Sequence, residues 1–241
     1  MKQIYKDIQC AIAKEERLLA VLIDPDKMDI EMVSDFFKKI NKSKATHIFV
    51  GGSIVEKGDT HALVSKIKQC TNLPVALFPG DESQITDSAD AILFLSLISG
   101  RNPEYLIGKH VDAVSKLKSI NLEVIPTGYI LIENGKETAV QKVTDTKPMS
   151  RTNIQHIVNT AKAGELLGMK LIYLEAGSGA MKPVNNEIIS AVKLDIDIPL
   201  IVGGGIRTKE QLINTYDSGA DLVVIGTALE EDETFFDDLN E

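Results

Sequence analysis

Apolar positions along this chain fall into two rhythms. Short, almost unbroken apolar runs recur eight times: LLAVLID (18–24), THIFVGGS (46–53), LPVALFPG (73–80), AILFLSLIS (91–99), LEVIPTGYIL (122–131), LIYLEAG (171–177), PLIVGGGI (199–206) and LVVIGT (222–227). Runs of this kind predict parallel strands covered on both faces. Between them, apolar residues return at helical spacing over 30–40 (with Asp29 as its cap), 61–69, 105–119, 152–167, 184–192 and 209–218. Eight strands alternating with helices predict an α/β fold of the (β/α)8, TIM-barrel type.

Two intervals break the alternation. Residues 80–91 leave room for about one helical turn, where a βαβ crossover normally needs a dozen or more residues. The helix after the third strand is therefore expected to be reduced or missing, leaving the barrel open along that side. Residues 132–150, IENGKETAVQKVTDTKPMS, form a long polar connection with little periodicity, the pattern of a lid or binding loop.

The 241 residues are 44% hydrophobic and contain no Pro/Gly/Ser linker. One domain over 1–241 with a full core is expected, since such barrels run to about 250 residues. The net charge of −9 argues against a nucleic-acid partner. The acidic residues 230–238 read as a solvated tail. Cys10 and Cys70 lie in no CxxC or Cys/His cluster and read as free thiols in a reducing cytosol. The charged opening MKQIYKDIQCAIAKEE has no apolar signal-peptide core, and no apolar run approaches the roughly 20 residues of a membrane span. A cytoplasmic protein without an integral membrane segment is expected.

In such a barrel the working residues sit at the C-terminal ends of strands. Strand one ends in Asp24-Pro25-Asp26-Lys27. Asp24, at the tip, suits a hard-cation ligand, and Mg2+ keeps positions open for substrate oxygens; Asp26 is a candidate helix N-cap. Ser53, at the tip of strand two, is either a turn residue or a hydroxyl ligand beside Asp24. Strand six delivers Tyr173-Leu174-Glu175-Ala176-Gly177-Ser178-Gly179, strand seven Gly203-Gly204-Gly205, and strand eight Gly226-Thr227. Glycine loops after the last strands, next to helix N-termini, form the usual phosphate site of this fold. A glutamate repels phosphate, so Glu175 reads as a base working beside one. Tyr173, two residues earlier, shares its strand face. His47, His61, His110 and His156 show no metal-ligand spacing. Lys27, Arg101, Lys109 and Arg207 read as anion-neutralising or solvated.

YLEAGSGA, the IDPDK tip, FVGGS, PTGYIL and IVGGGIR together resemble the geranylgeranylglyceryl phosphate synthase family, with its bacterial prenylglyceryl phosphate synthase relatives, across essentially the whole chain. The likeness is to the second, larger-insert group, and the missing helix is an oddity of that family's barrel. The resemblance implies a prenyltransferase that joins the C3 hydroxyl of sn-glycerol 1-phosphate to C1 of an isoprenoid diphosphate, with Mg2+ as cofactor and geranylgeranyl diphosphate as the donor. It implies metal ligands at Asp24 and Ser53. It places glycerol-phosphate contacts at 173–179, at Gly203 and Gly204, and at Gly226 and Thr227, where relatives often have Asn. Gly205 completes the triple glycine, with Glu175 and Tyr173 as the catalytic pair. A dimer or hexamer is implied, with product release at a membrane surface. A prenyl groove is expected near Leu93, Leu95, Leu97, Ile98 and Tyr105, rimmed by Pro79-Gly80-Asp81; most of these also fit as core residues.

GGGI and IGT alone would equally suit another phosphate-binding barrel, a sugar-phosphate isomerase or aldolase. No lysine stands at the tips of strands five to seven to form a Schiff base, which disfavours an aldolase. A non-catalytic phosphate- or prenyl-binding barrel would have no need of Asp24, Ser53 and Glu175 together.

Overall fold

Eight parallel strands close on themselves in sequence order in the computed structural model, which describes residues 3–56 and 58–226. They are β1 Leu18–Ile23, β2 His47–Val50, β3 Val75–Leu77, β4 Ala91–Leu97, β5 Glu123–Leu131, β6 Leu171–Glu175, β7 Leu200–Gly203 and β8 Leu222–Ile225. β8 returns to β1 in the register Leu18↔Leu222 to Val21↔Ile225, so no strand edge is left open.

Alternation along each strand divides the core in two. Ala20, Phe49, Leu93, Tyr129, Leu171, Tyr173 and Val224 fill the barrel interior. Ile48, Ile130, Ile172, Leu174 and Val202 point outward and pack under the helices. The helices are α1 Ile4–Ile12, α2 Val33–Ile40, α3 Thr60–Cys70, α4 Lys109–Leu117, α5 Ala139–Thr144, α6 Ile154–Leu166, α7 Asn186–Asp195 and α8 Lys209–Asp217.

The N-terminal residues, read above only as lacking a signal core, form α1, whose Ile4 and Ile8 bury into the interior cluster. Glu123, at the start of β5, accepts the Ile4 N–H at 2.5 Å and the Tyr5 N–H at 3.2 Å, giving the helix N-terminus its partner. α1 thus plugs the end of the barrel opposite the strand tips.

The interval after β3 holds only a 3-10 turn, Glu82–Gln84, as the spacing predicts. The helix after β1 differs from expectation. Asp29 does not cap it: its side chain and carbonyl close a turn onto Glu31 and Met32, and the helix starts at Val33. α4 is led in by a π-helical turn, Glu104–Gly108. Connection 132–150 is not structureless, because Thr138 and Gln141 form a reciprocal capping box that starts α5. A six-residue helix is too short to show periodicity, but its T-x-x-Q box was readable. Among the described residues no helix is long and apolar enough to cross a membrane. The acidic stretch 230–238 lies outside the described residues.

Candidate active site

Because Leu171 and Tyr173 face the interior, the same alternation aims Glu175 into the barrel mouth. Both side chains are buried, Glu175 at 5% exposure. Glu175 Oε1 accepts the Gly177 N–H at 2.5 Å. Burial pushes the Glu175 carboxyl above the ordinary carboxylate range, against the pull of the Tyr173 hydroxyl and the Gly177 N–H. The Tyr173 hydroxyl lies near enough to favour the charged carboxylate, yet makes no hydrogen bond of normal geometry and stays a buried, unpaired donor. Burial, and then the Glu175 charge, push Tyr173 and Tyr129 well above the ordinary phenol range, so both remain protonated.

Part of the glycine run serves this pair rather than a ligand. A Cβ on Gly203 would collide with the Tyr173 hydroxyl. Gly204 takes φ +81°, and a Cβ there would strike Glu175 Oε1 and the Gly177 nitrogen. The run is therefore steric clearance for the buried Tyr-Glu pair as well as a loop of exposed N–H groups.

The mouth has about 1150 Å³ of empty volume, counting its open end. Asp24, Ser53, Tyr173, Glu175, Ser178, Gly179, Gly204, Gly205 and Gly226 all line it, as the sequence predicts. Leu174 and Ala176 point outward into the outer core. The Ala176 backbone is engaged too, its N–H by the Gly203 carbonyl at 3.0 Å and its carbonyl by Asn134. Gly177 and Gly203 stand behind the lining, in the contacts just described. Thr227 lies outside the described residues.

Asp24 is half-buried, and burial raises its carboxyl, opposed by the Asp26 N–H at 3.0 Å and by Lys27 at 3.9 Å. Asp26 is not an N-cap; it ties down the loop after β2 by accepting the Glu56 and Gly58 N–H groups at 2.9 and 2.6 Å. Gly52 passes so close that a Cβ there would stand 3.1 Å from Asp24 Oδ1, which brings the Ser53 tip beside the carboxylate. A carboxylate and a hydroxyl are hard oxygen donors. Among the described residues no set of three His, Cys, Asp or Glu converges. An ion held here would complete its shell with water and substrate oxygens, the habit of Mg2+, so the donor set fits that cation.

A second, apolar groove of about 820 Å³ opens along the side left uncovered by the missing helix. Leu93, Leu95, Leu97 and Tyr105 line it, with Pro79, Gly80 and Asp81 at its rim. Ile98 does not: its side chain wedges between Gly128 and Gly164, under α6. Lys109 bridges the groove's edge to Asp81 and, at 3.5 Å, to Glu82, holding the Asp81 carboxyl down at about 2 despite its partial burial.

Several lining residues escaped the sequence. Phe78 packs on Tyr173 and Tyr129, ring centroids 5.3 and 6.0 Å away. Val140 and Val143 come from α5. Buried Gln84 clamps Gly52, accepting its N–H at 3.2 Å and donating to its carbonyl at 2.8 Å. The two cavities share Gly52, Ser53, Phe78, Tyr129 and Val140, so groove and mouth adjoin across these residues.

The PcrB family profile matches residues 11–241. A geranylgeranylglyceryl phosphate synthase of Flavobacterium johnsoniae is 57% identical over 97% of this chain and 96% of its own. One from Thermococcus kodakarensis is 43% identical over 90% of this chain and 86% of its own. The crystal structure of (S)-3-O-geranylgeranylglyceryl phosphate synthase from Thermoplasma acidophilum, in complex with its substrate sn-glycerol-1-phosphate, superposes with a TM-score of 0.91. It is 32% identical and covers 100% of this chain and 96% of its own. A thiamine phosphate pyrophosphorylase from Pyrococcus furiosus, 14% identical with a TM-score of 0.54 over 93% of this chain and 92% of its own, shares the fold alone.

Proposed function

The chain belongs to the PcrB family, and from that premise we propose that it joins the C3 hydroxyl of sn-glycerol 1-phosphate to C1 of geranylgeranyl diphosphate, in the presence of Mg2+. It is a prenyltransferase like its relatives. The observation that carries the reading is that the two cavities adjoin and share lining residues. A glycine-lined mouth that carries Asp24, Glu175 and Arg207 suits a small phosphorylated alcohol, and a groove lined by Leu93, Leu95 and Leu97 suits a long hydrocarbon. They adjoin across Phe78, Tyr129 and Ser53, and Asp24 lines the mouth with them.

The chain's own groups account for the acceptor half. Backbone N–H groups after β6, β7 and β8 receive the phosphate. That anchoring leaves the far hydroxyl toward Glu175, among the described residues the one carboxylate buried in the mouth. As the hydroxyl oxygen bonds to C1, its proton passes to Glu175, whose raised basicity suits the task. The C1–O bond to diphosphate breaks, and its electron pair leaves with diphosphate. The rings of Phe78 and Tyr129 offer π-density beside the carbon that becomes electron-poor. Asp24 and Ser53 would hold the Mg2+, which would supply positive charge for the departing diphosphate oxygens. Fixing both reactants by their anionic ends contributes much of the rate.

The test is incubation with Mg2+, sn-glycerol 1-phosphate and prenyl diphosphates of ten to thirty-five carbons, with the ether product read by mass. One preferred chain length is expected, with no product when EDTA removes the metal. If no diphosphate reacts while phosphate ligands still raise the melting temperature, the prenyl assignment fails and a generic phosphate barrel replaces it.

A further inference from the structure

The connection after β5 folds back over the loop after β6. Buried Asn134 donates its side-chain amide to the Ala176 carbonyl and accepts the Lys136 N–H at 3.1 Å. Buried Thr138 presses its methyl group against Gly177, where a Cβ would collide with it. Lys136 stands between these two anchors. Its ammonium overhangs Gly179, so that a Cβ on that glycine would meet Nζ at 3.2 Å. Gly179 lines the mouth.

The cations that line the mouth itself, Lys27 and Arg207, are engaged. Lys27 stands 3.9 Å from Asp24, and Arg207 donates to the Ala180 carbonyl at 2.9 Å. The acid next to Lys136, Glu137, lies 3.4 Å from Lys142. Among the described residues the Lys136 ammonium itself makes no ion pair. A phosphate monoester carries nearly two negative charges at neutral pH, and here it must sit beside the Glu175 carboxylate. Backbone N–H groups supply only partial charges. A lysine is a compact full charge with three rotatable donors, suited to closing over a phosphate from one side.

We propose that Lys136, carried on the β5–β6 connection rather than on any strand tip, grips the acceptor's phosphate from above and sets the preference for a phosphorylated over a free glycerol. The inference rests on the function proposed above and adds the residue that selects the phosphate. Lys136 is a binding and specificity residue; the proton transfer stays with Glu175.

Lys136→Met keeps the aliphatic stem and removes the charge. It is expected to raise KM for sn-glycerol 1-phosphate by about tenfold or more, the weight of one charge-assisted hydrogen bond, with kcat changed by less than about threefold. Lys136→Arg should recover most of that loss, and the methionine variant should show a weaker dependence of KM on ionic strength. Calorimetric titration with sn-glycerol 1-phosphate reads the same loss without turnover, and the melting temperature shows that the variant is folded. A folded Lys136→Met protein with unchanged KM and affinity, in a preparation whose unaltered enzyme turns over, overturns this inference alone. An unaltered protein that neither binds nor consumes sn-glycerol 1-phosphate overturns the function reading and this inference with it.

Discussion

A buried carboxylate that accepts a proton must be basic enough to take it and held firmly enough to aim. Glu175 meets both needs, through burial on the inner face of β6 and through the Gly177 N–H at 2.5 Å. Glu175→Gln keeps the shape and an acceptor for that N–H but removes the base. Turnover is expected to fall about 10²–10⁴-fold, the usual worth of a positioned general base, while calorimetric affinity for sn-glycerol 1-phosphate holds or improves as the charge near the phosphate disappears. In the unaltered enzyme the acid limb of kcat/KM should bend above the ordinary carboxylate range, since protonating Glu175 removes the base and burial raises its pKa. An acid limb at the ordinary value would count against Glu175. The inward aim of Tyr173 and Glu175 was legible in the sequence, because strand alternation has a period of two. That Gly203 and Gly204 make room for these two side chains was not, since the clearance depends on β6 lying beside β7 in the register Glu175↔Gly203.

At the level of elements, the decisive feature is the one that is missing. Where a helix would cover β3 and β4, a 3-10 turn leaves the groove open and contributes Gln84 in its place. Gln84 pairs with both backbone groups of Gly52, whose carbonyl also accepts the Gly80 N–H at 3.2 Å, and so helps fix the tip that carries Ser53. Gln84→Ala is expected to lower unfolding free energy by about 1–3 kcal/mol, the range for buried polar groups left unpaired, read by urea denaturation. It should also raise the Mg2+ concentration needed for half-maximal turnover. A stable variant with an unchanged metal requirement would show that the tip holds itself. The shortened interval was visible in residue count alone. The clamp was not, because a glutamine in a short polar stretch carries no periodic signal.

For the molecule as a whole, α1 and the inward-facing residues at the strand starts make one sealed layer below the mouth. His47 belongs to it, at the first position of β2, opposite Ala20. Burial pushes its imidazole down to about 4 from an ordinary 6.5. Between those values the unfolded chain takes up a proton that the folded barrel refuses. Stability is therefore full above pH 6.5 and declines as pH falls toward 4, by about 3 kcal/mol for that 2.5-unit gap. Urea midpoints across that range should show the decline in the unaltered protein and a flatter profile in His47→Gln. Equal slopes would assign the acid sensitivity to other groups.

The amino-acid sequence by itself determined the barrel, its open side and the inward carboxylate. Each is written in local order: eight apolar runs, one interval too short for a helix, and alternation within a strand. Tertiary structure decided what lies between elements. It turned Ile98 outward under α6, set groove against mouth across Phe78 and Tyr129, and laid Lys136 across Gly179. Such contacts pair residues far apart in the chain, and only closure of the barrel brings their loops to the same end. Local periodicity records which face a side chain takes; which partner waits on that face is set by the packing of the whole.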